Sequence, residues 1–375
     1  MKKKQNKIGI MSMQRILNYG SFLQAYGLKK MIEDLGKEVE FVDYHVGEPI
    51  IGSNNKENKL NRIFKKIKET LYEDGSITHK ISYMYYKSTF SSKYLHLLGI
   101  TEKRNFNPEL DCLVIGSDEV FNCIQENTNV GYSLELFGKE NNADKLISYA
   151  GSFGNTTLDK LKAFGKEDEI CHYLRKFDAI SVRDSNSFQL VYDLIGEKPF
   201  YNLDPVLMYD FNKGNILPEI NIKEKYLILY AYSGRISSEE SKWISTYAKS
   251  KNLKIYSIGG VQGCADKFIN CSPFEVLSYF KNAEEVITDT FHGSIFSIIN
   301  SKKFTTLVRK SKGNGYGNEE KLSDLLKRFD LEDRMTLDIK HVKTINNTEV
   351  DWNKIKSIIL EQRENTEKYL KNELI

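Results

Sequence analysis

The sequence predicts an α/β protein of two Rossmann-like domains in series, and three observations predict it. Short apolar runs alternate with helical periodicities through most of the 375 residues. The chain opens on a strand–helix–strand unit, the mark of a parallel sheet. The alternation then stops at a polar, turn-rich stretch and begins again with the same build.

The elements follow in order. Lys7 to Met13 is an apolar run of strand length, and Ser21 to Gly36 carries Phe22, Leu23, Ala25, Tyr26, Leu28, Met31, Ile32 and Leu35 at helical spacing. Glu38 to Tyr44 supplies the next strand. After a basic, tyrosine-rich segment come strands at Asp111 to Ile115 and Lys145 to Ala150 and a charged helix from Leu158 to Lys176. A strand at Ala179 to Val182, a helix from Ser185 to Ile195 and a run from Pro199 to Leu203 complete the first domain, residues 1–211, with residues 54–104 inserted in it. Lys213, Gly214, Asn215 and Pro218 mark the linker.

The second domain, residues 225–345, repeats the scheme: strands at Tyr226 to Tyr232, Lys254 to Ile258, Glu285 to Asp289 and Phe304 to Val308, with helices at Ser237 to Lys251, Pro273 to Lys281 and from about Phe291. Residues 346–375 hold a charged helical period, Trp352 to Leu374, expected to pack back on the body.

Composition bounds the function. Lys and Arg number 54 against 51 Asp and Glu, a formal net charge of +3. A dedicated nucleic-acid binder would carry a strong basic excess, so no nucleic-acid partner is expected. The surplus is local: residues 54–104 hold 11 Lys or Arg against 5 Asp or Glu. That segment also carries Tyr72, Tyr83, Tyr85, Tyr86 and Tyr94. It reads as a solvated helical surface, or as one whose Lys65, Lys66, Lys68, Lys80, Lys87 and Lys93 meet an anionic membrane surface or a diphosphate carrier while the tyrosines contact sugar rings.

The five cysteines, Cys112, Cys123, Cys171, Cys264 and Cys271, form no C-x-x-C pair, so free thiols and no metal site are expected. The apolar run behind the basic start is too short for a signal-peptide core, and no stretch approaches the roughly 18–20 apolar residues that span a bilayer. A cytoplasmic protein is expected, either free or in peripheral contact with the inner membrane face.

Open α/β sheets bind ligands at the carboxyl ends of their strands, which makes five loops candidates. Asn18-Tyr19-Gly20-Ser21 offers backbone N–H groups to an anion or a sugar hydroxyl, or is a plain helix cap with Ser21 as the cap. Gly116-Ser117-Asp118 puts a carboxylate at a strand tip, for a ligand or to cap a helix, and the Gly151-Ser152 loop is similar. Arg183 ends a strand, where its guanidinium can fork a carboxylate or phosphate, or pair internally with Asp184 or Asp204. The fifth loop, Thr288-Asp289-Thr290-Phe291-His292-Gly293-Ser294, places a histidine at a helix start with small neighbours leaving room for a ligand. His292 can there serve as proton donor and anion contact. The stretch Gly313 to Asn318 lacks the Lys-Ser/Thr of a phosphate loop and reads as a surface loop.

Six stretches together resemble the polysaccharide pyruvyl transferase family: Asn18 to Tyr26, Ile115 to Asn122, Ser148 to Gly154, Ser181 to Asp184, Leu203 to Val206 and Thr288 to Ser294. The resemblance implies a glycosyltransferase-B-like architecture, two Rossmann-like domains facing a central cleft, with no cofactor or metal. It implies transfer of the pyruvyl group of phosphoenolpyruvate to a sugar of a surface polysaccharide precursor, as a ketal, with release of phosphate. His292 then maps to the catalytic acid and Arg183 to the arginine holding the donor's anionic end. Asn18, Gly20 and Ser21 would face the acceptor sugar, free or on a lipid diphosphate, and Ser117, Asp118, Ser152, Thr290, Gly293 and Ser294 would line the substrates. Asn318-Glu319-Glu320-Lys321 stands where the family pattern has Ser/Asn-x-Arg. Two rival readings share the fold: a nucleotide-sugar-dependent glycosyltransferase and a non-catalytic carbohydrate-binding relative.

Overall fold

A computed structural model describes residues 6–51, 75–309 and 319–375. The expected Lys65, Lys66, Lys68 and Tyr72 surface and the Gly313 to Asn318 loop lie outside the described residues. These residues form two compact units, one of 6–51, 92–210 and 359–375, the other of 75–91, 211–309 and 319–358.

The first unit is a six-stranded parallel sheet in the order β2-β1-β3-β4-β5-β6. Its strands are β1 (Lys7–Met11), β2 (Glu38–Phe41), β3 (Glu109–Asp118), β4 (Asn142–Gly151), β5 (Ser181–Val182) and β6 (Phe200–Tyr201). Ile8 lies beside Cys112 and Ile10 beside Val114 in register, and all four are buried. Helix α1 (Tyr19–Glu33) starts earlier than the apolar spacing suggests because Asn18, not Ser21, caps it: its side chain accepts from the Ser21 N–H at 2.7 Å. Helix α2 (Ile77–Tyr94) follows in the chain.

The single charged helix expected from Leu158 to Lys176 is two, α3 (Leu158–Ala163) and α4 (Glu167–Leu174). They part at Gly165, whose φ of +63° no helix continues. Asp184 caps α5 (Ser185–Ile195) and Asp204 caps the short α6 (Pro205–Met208), which begins on a proline.

The second unit is also six-stranded and parallel, in the order β12-β11-β10-β7-β8-β9. It comprises β7 (Tyr226–Tyr230), β8 (Lys254–Ile258), β9 (Lys267–Phe268), β10 (Glu285–Thr288), β11 (Lys303–Leu307) and β12 (Met335–Thr336). Counted from β7, this is the doubly wound order 3-2-1-4-5-6. Its helices are α7 (Ser238–Ser250), α8 (Pro273–Asn282), α9 (Phe291–Ile299), α10 (Glu319–Lys327) and α11 (Val342–Asn347). Capping boxes at Ser237 with Glu240 and Ser272 with Glu275 start α7 and α8.

Two boundaries differ from expectation. The described part of the 54–104 insert is divided: residues 92–104 group with the first unit and residues 75–91 with the second, where Tyr83 meets Phe268 edge-on at 5.7 Å and Tyr86 and Phe90 are buried. Helix α12 (Trp352–Leu374) belongs to the first unit from Ile359 onward. There the Tyr369 hydroxyl donates to the Ser148 carbonyl at 2.7 Å and Lys145 pairs with Glu373.

Candidate functional site

In each unit candidate loops leave the sheet where its strand order reverses, the crevice in which open α/β sheets take ligands, although the Ser152 and Arg183 loops follow β4 and β5 instead. In the first unit that point lies between β1 and β3, and in the second between β7 and β10.

The first unit joins three expected residues in one buried network. Because Asn18 does the capping, the Ser21 hydroxyl is released to donate to Asp118 Oδ2 at 3.1 Å. Asp118 therefore caps no helix. Its Oδ1 accepts from the Arg183 guanidinium at 3.2 Å, whose other amino group reaches Asp204 at 2.8 Å. Arg183 is thus an internal ion pair, with Asp204 as foreseen and with Asp118 as not foreseen. Burial works against its charge, but the two carboxylates outweigh it and push the guanidinium pKa above its ordinary value.

Ser117 is buried and donates to Gln24 Oε1, and its carbonyl accepts from Ser12. Gln24, from the Asn18 to Tyr26 stretch, and Ser12, for which the sequence offers no motif, hold Ser117 in this way: Ser12 follows β1 and Gln24 sits on the buried side of α1. Ser152 stands apart, bonded to Asp184 and accepting from the Gly154 N–H at 3.0 Å. Gly20 is buried within α1 and Asn18 is half-buried at its start.

In the second unit, Thr290 caps α9 by accepting from the Gly293 N–H at 2.9 Å, which puts His292 in the first turn. The half-buried imidazole lies between Phe291 and Phe296 rings, at 5.5 and 6.0 Å. Gly293 does not open room for a ligand: a Cβ there would come within 2.0 Å of Thr288 Oγ1. Ser294 is fully buried, bonded to the Thr290 carbonyl and Thr306 Oγ1. Both serve the packing of α9 on its sheet.

Sequence reasoning missed two arginines beside this loop. β7, β10 and β11 are neighbours, so the loops after them emerge side by side. From the first comes Arg235 and from the third Arg309, and their guanidinium groups approach Asp289 Oδ2 at 3.8 and 3.9 Å. Arg235 also lies over the exposed Tyr232 ring at 4.7 Å, and Arg309 forks Glu240 at 2.7 and 3.3 Å. Burial lifts the Asp289 carboxyl above its ordinary pKa even though both guanidinium groups pull it down. Neither arginine stands in a motif; only strand adjacency unites them. A surface groove of about 670 Å³ in this unit, lined by Lys223, Lys249, Lys254 and Cys264, opens where β8 begins, at the opposite sheet end from His292.

Fold and loops define a two-unit α/β protein with polar and cationic groups at the reversal point of each sheet. The family model for polysaccharide pyruvyl transferase matches residues 18–311, and the chain belongs to that family. As a member it is a transferase with a polysaccharide or sugar acceptor. No curated protein matches it. Among solved structures it is similar to the glycotransferase of kitacinnamycin, at 8% identity over 98% of this chain and 99% of that one, TM-score 0.45. It is also similar to the UDP-GlcNAc 2-epimerase from Methanocaldococcus jannaschii, at 11% identity over 96% and 99%, TM-score 0.44. The glycosyltransferase SnogD from Streptomyces nogalater gives 11% identity over 96% and 94%, TM-score 0.39. No helix among the described residues is long and apolar enough to cross a membrane.

Proposed function

We propose that the protein transfers the pyruvyl group of phosphoenolpyruvate to two hydroxyls of one sugar residue, forming a cyclic ketal and releasing phosphate. The observation that carries this reading is His292 in the first turn of α9, with the guanidinium groups of Arg235 and Arg309 converging on the preceding Asp289. Phosphoenolpyruvate brings a carboxylate and a phosphate, and the reaction needs one proton donor beside an anion clamp.

In this reading His292 gives a proton to the methylene carbon, which becomes the methyl group, and positive charge develops at C2. A sugar hydroxyl attacks C2 and loses its proton, the C2–O bond to phosphate breaks, and a second hydroxyl of the same sugar closes the ketal as its proton departs. General acid catalysis of this kind contributes about 10²–10⁴ in rate. Arg235 and Arg309 hold the anionic groups, and the backbone N–H groups at the start of α9 add a favourable partial charge. Arg183, committed to Asp118 and Asp204, acts as a positioning residue that fixes Asp118 against Ser21. The Ser21 and Asp118 loops are the proposed side for the acceptor sugar.

A thermal-shift comparison tests the donor. Phosphoenolpyruvate raises the midpoint of the wild-type protein by mass action, and a nucleoside diphosphate sugar does not. The reverse result identifies the protein as a nucleotide-sugar-dependent glycosyltransferase.

A further inference from the structure

Helix α2 presents two unlike faces. Its inner face buries Lys80, Tyr86 and Phe90. Its outer face carries Ile77, Ile81, Met84 and Tyr85, which are 73, 56, 38 and 52% exposed. The spacing i, i+4, i+7, i+8 puts these four on one stripe across the first two turns. Scattered apolar residues on a surface need no explanation, but four in a row along one exposed helix face do.

Charge narrows what could cover the stripe. Residues 77–94 contain three lysines and no Asp or Glu, within the most basic segment of the chain. Lys80 is buried in the helix's inner face, which removes it from the surface, and Lys93, though exposed, lies a further eight residues along and well round the helix from the stripe. Lys87 lies over the Tyr83 and Tyr86 rings at 5.7 and 5.6 Å, flanking the stripe. A second copy of the chain would set an acid-free helix against another, like charge against like. An anionic bilayer surface offers the complement: acyl chains for the isoleucines and methionine, the headgroup boundary for Tyr85, and negative charge for Lys87 at the stripe's edge.

We propose that α2 lies on an anionic lipid surface through Ile77, Ile81, Met84 and Tyr85. The contact involves no donor and no His292, so it stands apart from the transfer chemistry. It would hold the enzyme where a lipid-carried acceptor is found.

Full-length protein is sedimented with vesicles of phosphatidylcholine containing phosphatidylglycerol and, separately, with phosphatidylcholine alone. Wild type is expected to pellet with the anionic vesicles and to be released by salt, within a screening length of about 10 Å at 0.1 M. Ile77→Asp with Ile81→Asp is expected to lower the affinity at least about tenfold while the thermal midpoint, set by the core, stays put. Ile77→Ser with Ile81→Ser should give a smaller loss in the same direction. Equal binding to both vesicle types, no binding to either, or unchanged binding of the aspartate variant would overturn the proposal. So would a concentration-dependent dimer of the wild type that the aspartate variant abolishes, since the stripe would then belong to a second copy.

Discussion

Arg183 and Asp204 form an ion pair of 2.8 Å in which the two side chains are 5 and 0% exposed. Such a pair adds little stability relative to an apolar one, but removing one partner strands the other charge out of water. Arg183→Ala is therefore expected to cost about 3–5 kcal/mol. Arg183→Met combined with Asp204→Asn and Asp118→Asn should recover part of that loss. Denaturant midpoints check it, and a single variant as stable as wild type would show the pair to be dispensable.

Asp43 gives the pH prediction. Burial would raise its carboxyl, but the Arg15 guanidinium, the Asn105 N–H and Arg104 together hold it below its ordinary value. A lowered carboxylate contributes stability that is complete above the unfolded pKa of about 3.9 and is lost as pH falls through the folded value. Asp43→Asn should thus destabilise by about 1–3 kcal/mol at pH 7. The gap from wild type should narrow below about pH 4; a gap that persists unchanged to pH 2 excludes this origin.

At Gly293 two effects oppose each other. Gly→Ala inside a helix ordinarily gains about 1 kcal/mol. Here the new methyl would lie 2.0 Å from Thr288 Oγ1 and 2.8 Å from the Thr290 Oγ1 that caps the helix. The overlap costs about 1–3 kcal/mol or more, so it wins, and Gly293→Ala lowers the melting midpoint. A stabilised variant would mean that α9 can move off its sheet at no cost.

Arg309 distinguishes an anion ligand from a structural ion pair. If it holds the donor, Arg309→Ala weakens phosphoenolpyruvate binding roughly 10–100-fold, the loss of one charged hydrogen-bonding group. Glu240→Gln, which breaks the same pair from the other side, leaves that binding intact or tightens it. Calorimetric titration reads both, and equal weakening in the two variants would assign Arg309 to structure alone.

Much of this was legible in the sequence because buried parallel strands and capped helices write themselves locally. Asp184 and the Thr288 to Ser294 loop are continuous segments whose roles follow from strand, cap and helix. The two-residue strands Lys267–Phe268 and Met335–Thr336 were not, because neither lies in an apolar run of strand length. Asn18 and Ser21 are both good caps, and the choice between them rests on the Asn18 side chain taking the Ser21 N–H and on the distant Asp118 taking the Ser21 hydroxyl. The room expected at Gly293 is filled by Thr288, which precedes it by a strand end and a turn. Arg235, Asp289 and Arg309 come together through strand order, a long-range property that no local pattern contains.

The most direct measurement follows an acceptor glycan incubated with phosphoenolpyruvate and the protein, with phosphate and the carboxyethylidene group quantified together by colorimetry and mass spectrometry. Wild type is expected to release one phosphate for each ketal formed, and a folded His292→Ala to react more slowly by about 10²–10⁴. Ketal formation at the wild-type rate without the His292 imidazole, or glycosyl transfer from a nucleotide sugar in place of ketal formation, would contradict this mechanism.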